Sequence, residues 1–363
     1  MKFHDLNKNI KKKFFKYENN EQDEINDNED DNNINKNKII KKNNLYSISS
    51  FNSNKIFEEK SQKSLNSKNN SINFENYEEE IQPFNLDDYK IITQIGQGNF
   101  GKIYLVQEKN TGNLFSIKKI LLSEELDLED IMKEYKLCYK LKHKNIVQIL
   151  GVYNNKLDIT TFGIYILMEI GLTDWEKEIK NRCQKNKMYS QKELMNILIQ
   201  LTNALSFLQE KNVSHRDIKP QNVLIFKNNI YKLADFGEAK KISNNHLNSQ
   251  LNTIRGTELY MSPLLFNGMK TRQLDIKHNL FKSDVYSLGL CILYAANLNN
   301  NALYDIRKYV DNISVKNYVN ELLKNKYKKN FIELVCELLE INEKDRMDFI
   351  DLKEKLKNLK NNI

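Results

Sequence analysis

No run of 18 apolar residues occurs in this 363-residue chain, so the sequence predicts no transmembrane segment. Its opening, MKFHDLNKNIKKKFF, lacks the apolar core and small-residue cleavage site of a secretory signal, and Lys2 stands where N-myristoylation requires glycine. Contact of residues 9–15 with an anionic membrane surface is the minor reading of their charge. Cysteine is sparse: Cys138, Cys183, Cys291 and Cys336 are far apart and form no CxxC pair or mixed Cys/His ligand cluster. A reducing intracellular setting fits them, which points to the cytoplasm and leaves the nucleus open. The net charge of +8 comes from dispersed lysines without sustained Arg–aromatic interleaving, so no specific nucleic-acid partner is expected.

What is present divides in two. Residues 1–83 are dominated by Asn, Lys, Ser, Asp and Glu, with apolar residues too scattered to bury a face, and read as a disordered polar extension. From Tyr89 the pattern tightens. YKIITQIG, GKIYLVQEK and FSIKKIL read as antiparallel strands, and LEDIMKEYKLCYKLKH as a helix beside them through Ile131, Tyr135, Cys138 and Leu141. IVQILGVY and YILMEI are two further strands. Beyond Gly171 the chain turns helical: YSQKELMNILIQLTNALSFLQEK carries a stripe of leucines, SDVYSLGLCILYAAN is apolar on all sides, and KNYVNELLK, FIELVCELLEI and DFIDLKEKLKNLK follow. The junction at 169–175 is too short for a free linker, which favours two lobes clamped around a cleft.

Three segments concentrate chemistry. GQGNFG, residues 96–101, lies between two strands, and its glycines would bring backbone N–H groups close to phosphates. A dinucleotide fold would want a helix directly after the glycines, so a phosphate-covering hairpin is the better reading. In HRDIKPQN, residues 215–222, Asp217 and Asn222 are five apart; Asp235 of ADFG follows Asp217 by 18. Two short strands, VLIF and YKLA, joined by KNN would return Asp235 beside Asn222. There the two side chains could hold Mg²⁺ while Asp217 orients an attacking hydroxyl. Lys118, 17 residues after Gly101, and Glu134 on the next helix would form an ion pair against nucleotide phosphates.

In order, GQGNFG, Lys118 in FSIK, Glu134, HRDIKPQN, DFG, GTELYMSP and SDVYSLG resemble the motif series of eukaryotic protein kinases over about residues 89–357. The resemblance implies an α+β, bilobed protein-kinase-like fold in a domain of residues 84–359, with a short tail at 360–363. Its small antiparallel β lobe with one main helix would cover about 89–170, and its larger, mainly helical lobe about 171–357. It implies ATP as phosphoryl donor, Mg²⁺ as metal with Mn²⁺ as the alternative, and a protein substrate. Residue by residue it implies a glycine lid at Gly96, Gly98 and Gly101, phosphate contact by Lys118 supported by Glu134, and a hydroxyl-orienting Asp217. Lys219 would stabilise charge, and Asn222 and Asp235 would bind metal. Met168 resembles the gatekeeper of the adenine pocket, with backbone contacts from Glu169, Ile170 and Gly171, and with Ile103 and Leu224 enclosing the ring. Ser116 replaces the usual alanine above it, and its hydroxyl needs a partner if buried. Cys138, His215 and Phe236 match a hydrophobic stack linking the lobes, which makes His215 structural rather than a general base. Lys219, Thr257 and KPQN favour Ser/Thr acceptors over tyrosine.

Between DFG and Gly256 lie Ser243, Ser249 and Thr253. Thr253 resembles the activating phosphorylation position, and a phosphate there would pair with Arg216, assisted by Arg255. An upstream kinase or autophosphorylation is the implied source. One residue departs from the family: in SPL, Leu264 stands where a glutamate usually pairs with a buried arginine, matched here by Arg346. Stranding a buried charge costs about 3–5 kcal/mol. Arg346 is therefore expected to meet a carbonyl, another acid (Asp345, Glu343 or Glu258) or water. Leu264, fully buried, would contribute about 1.5–3 kcal/mol. The expectation is an active enzyme with an altered or less tightly anchored substrate loop. The competing readings are a pseudokinase scaffold that binds nucleotide or partners without turnover, and phosphoryl transfer to lipids or small molecules.

Overall fold

The computed structural model describes residues 83–98, 101–122, 125–158, 161–242 and 251–361. Apart from its last residue, the polar extension expected at 1–83 lies outside the described residues, as do Ser243 and Ser249. No helix among the described residues is long and apolar enough to cross a membrane.

The strand-like runs form one antiparallel sheet: β1 (Tyr89–Gly98), β2 (Gly101–Glu108), β3 (Leu114–Leu122), β4 (Ile149–Lys156) and β5 (Phe162–Met168), in the order β1-β2-β3-β5-β4. Alternation along β5 explains why it is buried on both sides. Ile164 and Ile166 join the main core, while Tyr165 and Leu167 point to the other face with Val106 and Ile117, under Phe84, Leu86 and Tyr89. Helix α1 (Glu125–Lys140) places Tyr135 and Cys138 in the main core, with Ile131 packed beside them.

The helical part is organised by two helices. Helix α2 (Trp175–Gln184) precedes the first of these, α3 (Gln191–Glu210), which starts in a capping box. Ser190 Oγ accepts from Glu193 N at 3.2 Å, and the Glu193 carboxylate accepts from Ser190 N at 2.7 Å. Its leucines at 194, 198, 201, 205 and 208 are all buried. Pro263 occupies the first turn of a short helix, α4 (Pro263–Lys270), where its missing N–H costs nothing. The second organising helix is α5 (Leu280–Asn297), in which all but a few side chains are buried, as its apolar circumference requires. Around these pack α6 (Asn301–Ile306), α7 (Asn312–Leu323), α8 (Lys329–Leu338) and α9 (Phe349–Asn361). Helices α2, α4 and α6 had no prediction: they are short and depend on tertiary packing more than on a readable stripe.

Smaller strands position the loops. β6 (Thr173–Asp174), β8 (Val223–Phe226) and β9 (Ile230–Leu233) form a sheet in that order, and β7 (Val213–Ser214) pairs with β10 (Lys240–Lys241). The β8–β9 hairpin starts its second strand one residue earlier than YKLA. Asn228 and Asn229 take left-handed φ values of 59° and 55° in the turn, a conformation asparagine tolerates. Ala234 N then donates to Asn222 O at 2.8 Å, which sets Asp235 next to Asn222. The segment after β5 is docked rather than free: Leu172 N donates to Ile225 O at 2.7 Å, and a Cβ on Gly171 would lie 3.0 Å from that of Leu224. A last pair, β11 (Leu251–Thr253) with β12 (Asp275–Lys277), aligns Thr253 with Asp275.

Candidate active site

The loop after β7 is shaped by a carboxylate from α5. Asp284, 3% exposed, accepts from Ser214 Oγ at 2.8 Å, His215 N at 2.9 Å and Arg216 N at 3.0 Å. Drawing two successive amides onto one carboxylate coincides with a φ of +67° at Arg216, a strained value for a non-glycine residue costing about 1–3 kcal/mol. Burial raises the Asp284 carboxyl, against the opposing pull of His215, Ser214 and the two amides. Asp284 was not singled out from the sequence, although an acid inside so apolar a helix is a signal that could have found it.

Asp217 follows directly and is held from three sides. Its Oδ1 accepts from Thr257 N at 3.0 Å and Thr257 Oγ1 at 2.7 Å; its Oδ2 accepts from Asn222 Nδ2 at 2.9 Å and pairs with Lys219 Nζ at 2.7 Å. Lys219 also donates to Thr257 Oγ1 at 2.8 Å, closing a ring. Burial alone would raise the Asp217 carboxyl, but Lys219 and Thr257 outweigh it and hold the group below the usual carboxylate range. Gly256 makes the approach of Thr257 feasible: its φ is +105°, and a Cβ there would come within 2.5 Å of Arg216 O. His215 spends its ring nitrogens on Ala234 O (3.1 Å) and Asp217 N (3.3 Å), and its ring lies 5.0 Å from Phe236. It is a spacer between loops, and Cys138 and Phe236 lie in the same core.

Lys118 Nζ meets Asp235 Oδ1 at 2.6 Å, with Asp235 at a φ of +59°. Lys118 is 6% exposed, so its ammonium is held in place by this contact and the surrounding sheet. Glu134 belongs to α1, but its side chain lies outside the described residues, so the Lys118–Glu134 pairing does too. Cross-strand register sets Ser116 against Met168 and Ile103 against Lys118 and Gly96. Leu224 approaches from β8 beneath Gly171. Ser116 Oγ finds its partner in Glu169 O at 3.3 Å, while the Glu169 carboxylate is clamped by Lys232 Nζ at 2.6 Å and accepts from Gln148 N at 2.7 Å. Glu169 is thus tied to β3 and β9, and Gly171 packs on Leu224. No periodic signal marked Lys232, because strand alternation is silent about pairing across the cleft. At the glycine lid, Gly98 pairs with Gly101 to close β1–β2, and Asn99 and Phe100 lie outside the described residues. Gly101 has a φ of +142°, and a Cβ would come 2.2 Å from Lys119 O, so only glycine closes the hairpin there.

Thr253 is exposed on β11 and shares a cleft with Arg216, Glu238, Lys240 and Arg255. The Glu238 carboxylate lies 4.0 Å from Arg216 and 3.8 Å from Arg255. Burial raises the Glu238 carboxyl, and Arg255 and Arg216 pull it back only in part.

The anomaly at 264 resolves in two ways. Leu264 is 38% exposed rather than fully buried, because it sits in the first turn of α4, whose inward face is carried by Leu265 and Gly268. Arg346, 1% exposed, pairs with none of the acids considered. It donates to Glu340 O at 2.7 Å, Lys282 O at 3.0 Å and Ile341 O at 3.0 Å, with its guanidinium 4.9 Å from the Tyr286 ring. Burial pushes its pKa down to about 10, against the attraction of Tyr286, Glu343 and Glu340. Main-chain acceptors satisfy the donors that a glutamate would have taken.

These features define a class. A family model described as the protein kinase domain matches residues 89–356, and the chain belongs to that family. Among its relatives, a "Probable serine/threonine-protein kinase nek3" of Dictyostelium discoideum is 32% identical over 275 residues, covering 74% of this chain and 23% of that protein. "Serine/threonine-protein kinase TIO" of Arabidopsis thaliana is 33% identical over 214 residues, 58% of this chain and 14% of the relative. An "Aurora kinase" of Schizosaccharomyces pombe is 30% identical over 210 residues, 57% of this chain and 54% of the relative. The match therefore spans about half or less of each relative's length.

Proposed function

We propose that the domain at 84–359 transfers the γ-phosphoryl group of ATP to serine or threonine hydroxyls of protein substrates. The observation that carries this is the ring of Asp217, Lys219, Thr257 and Asn222, joined through the Ala234 N–Asn222 O bond to the residue beside the Lys118–Asp235 pair. The names of the relatives above support the Ser/Thr preference.

Asp217 stays ionised because Lys219 and Thr257 favour its charged form, so it can accept a hydrogen bond from an incoming hydroxyl and orient its lone pair. The proton passes to Asp217 late, as charge leaves the hydroxyl oxygen, and strong basicity is not needed. Lys219, already bridging Asp217 and Thr257, places positive charge where the transferring group gathers negative charge. Lys118 holds a compact positive charge against Asp235. Asp235 and Asn222 suit Mg²⁺, or Mn²⁺, by donor chemistry: a carboxylate and an amide oxygen are hard ligands, and the amide N–H bonds of Asn222 go to Asp217, leaving its oxygen as an acceptor. When bound, the metal neutralises phosphate charge. Met168, Ile103, Leu224 and Ser116 would enclose the purine, with the backbone of Glu169–Gly171 along its edge. Phosphorylation of Thr253, by an upstream kinase or in autophosphorylation, would bring a dianion into the cleft of Arg216, Lys240 and Arg255. We place the reaction in the cytoplasm, with the nucleus open; the four free cysteines support a reducing setting.

The test is transfer of labelled γ-phosphate from ATP to Ser, Thr and Tyr peptides by the full chain and by Asp217→Asn. Label on Ser or Thr that falls sharply in the variant is expected. Equal background from both proteins would overturn the proposal in favour of a scaffold, and label on tyrosine alone would overturn the acceptor class.

A further inference from the structure

We propose that Arg307, just beyond α6, is the positioning residue for the substrate-side loop 256–266, doing the work left vacant by the glutamate absent at 264. Arg346, which would have gripped that glutamate, makes no hydrogen bond to the loop: its three acceptors lie on α5 and on the connection after α8. The guanidinium that does reach the loop is that of Arg307. Its Nη2 donates to Glu258 O at 2.6 Å and to Met261 O at 3.3 Å, spanning the 3₁₀ turn Glu258–Tyr260. The same group lies 4.0 Å over the Phe266 ring, which also carries Lys270 Nζ at 4.4 Å. Arg307 thus holds the loop on both sides of Leu264.

The grip is close to the chemistry. Glu258 follows Thr257, whose amide and hydroxyl hold Asp217. Between the two carbonyls taken by Arg307, Tyr260 O accepts from Ser287 Oγ at 2.7 Å, so the turn is pinned to α5 and to the end of α6 together. A planar fork that donates along its edge while stacking by its face is specific to arginine; a lysine can supply charge to a carbonyl or to the ring, but cannot do both in one geometry. Arg307 touches neither Asp217 nor the Lys118–Asp235 pair in any contact described here, so it acts through the loop.

The inference rests on reading 256–266 as the substrate-side loop, and the experiment separates the two. Hydrogen exchange of the full chain, read by mass spectrometry, is compared for wild type, Arg307→Lys and Phe266→Leu, alongside steady-state kinetics with a Ser/Thr peptide. For Arg307→Lys we expect exchange at 256–266 to rise about tenfold or more, peptide KM to rise by a similar factor, and ATP KM and Tm to stay unchanged. Phe266→Leu, which removes only the ring, should give a smaller change in the same segment. Unchanged exchange at 256–266 in Arg307→Lys would overturn the proposal, as would a rise spread equally through α5 and α6 with a fall in Tm. The exchange measurement needs no turnover, so an inactive wild type would defeat the kinase reading while still deciding whether Arg307 holds the loop.

Discussion

Asp217 and Arg346 are both buried charges that fix a loop, and they are satisfied in opposite ways. Around Asp217 most partners are side chains: Lys219, Thr257 and Asn222 each had to be the right residue at the right position. Around Arg346 every acceptor is a backbone carbonyl, and any residue could have supplied it. The ring around Asp217 is exacting about identity at both ends of its side-chain contacts, whereas the Arg346 contacts are exacting at one end only. Leucine at 264 leaves this arrangement intact, because the acceptors of Arg346 come from Lys282, Glu340 and Ile341 instead.

Breaking the exacting side should have the largest effect. Asp217→Asn keeps the shape and removes the charge; kcat on a Ser/Thr peptide should fall by about 10²- to 10⁴-fold, and Tm should fall too, because an amide cannot accept at both positions where Asp217 takes its four donors. Asp235→Asn should fall at least as far and, unlike Asp217→Asn, should weaken the divalent-dependent part of nucleotide binding measured by calorimetry. Asp284→Ala sharpens the contrast by attacking the loop's support. It strands Ser214 Oγ and two amides, and stability in urea should drop by about 3–5 kcal/mol.

On the tolerant side the effects should be small. Leu264→Glu should alter stability by no more than about 0.5 kcal/mol, because the position is part-exposed and Arg346 already has three acceptors. A gain of several kcal/mol would show that Arg346 abandons its carbonyls for the new carboxylate. The smallest effect concerns Glu238. Its carboxyl is raised in the folded protein, so the native state binds that proton more tightly than the unfolded chain. Wild type should accordingly lose stability relative to Glu238→Gln as pH rises from about 4.3 through the raised value, and the difference should then level off. Urea midpoints at a series of pH values would read it, and a difference moving the other way would show the two arginines overriding burial.

The same distinction governs what could be read in advance. Strand runs, the leucine stripe of α3 and the apolar α5 were legible because period and composition suffice to specify them. The Asp217–Asn222 contact was legible from their five-residue spacing, and the return of Asp235 beside Asn222 from the two short strands between them. Arg346 was legible as a buried charge, but its partner was not, since carbonyls carry no sequence signature. The burial on which the packing value of Leu264 depended could not be read: once Pro263 starts a helix, neighbouring residues diverge by about 100°, and Leu265 takes the inward direction. Arg307 was invisible for the reason Arg346 was half-visible, and Asp284 was overlooked although an acid in an apolar helix is an anomaly.

Five of the six residues from Lys282 to Ser287 in α5 have a mechanical meaning. Lys282 gives its carbonyl to Arg346, Ser283 meets Ser262, Asp284 holds the catalytic-loop amides, Tyr286 lies under Arg346, and Ser287 holds Tyr260 O. Catalytic loop, substrate loop and the far end of the helical lobe are thus indexed to less than two turns of one rigid screw. Their mutual spacing comes in steps of about 1.5 Å and 100° rather than continuously. One residue inserted at this point would leave every amino acid in place and throw all three out of gear together.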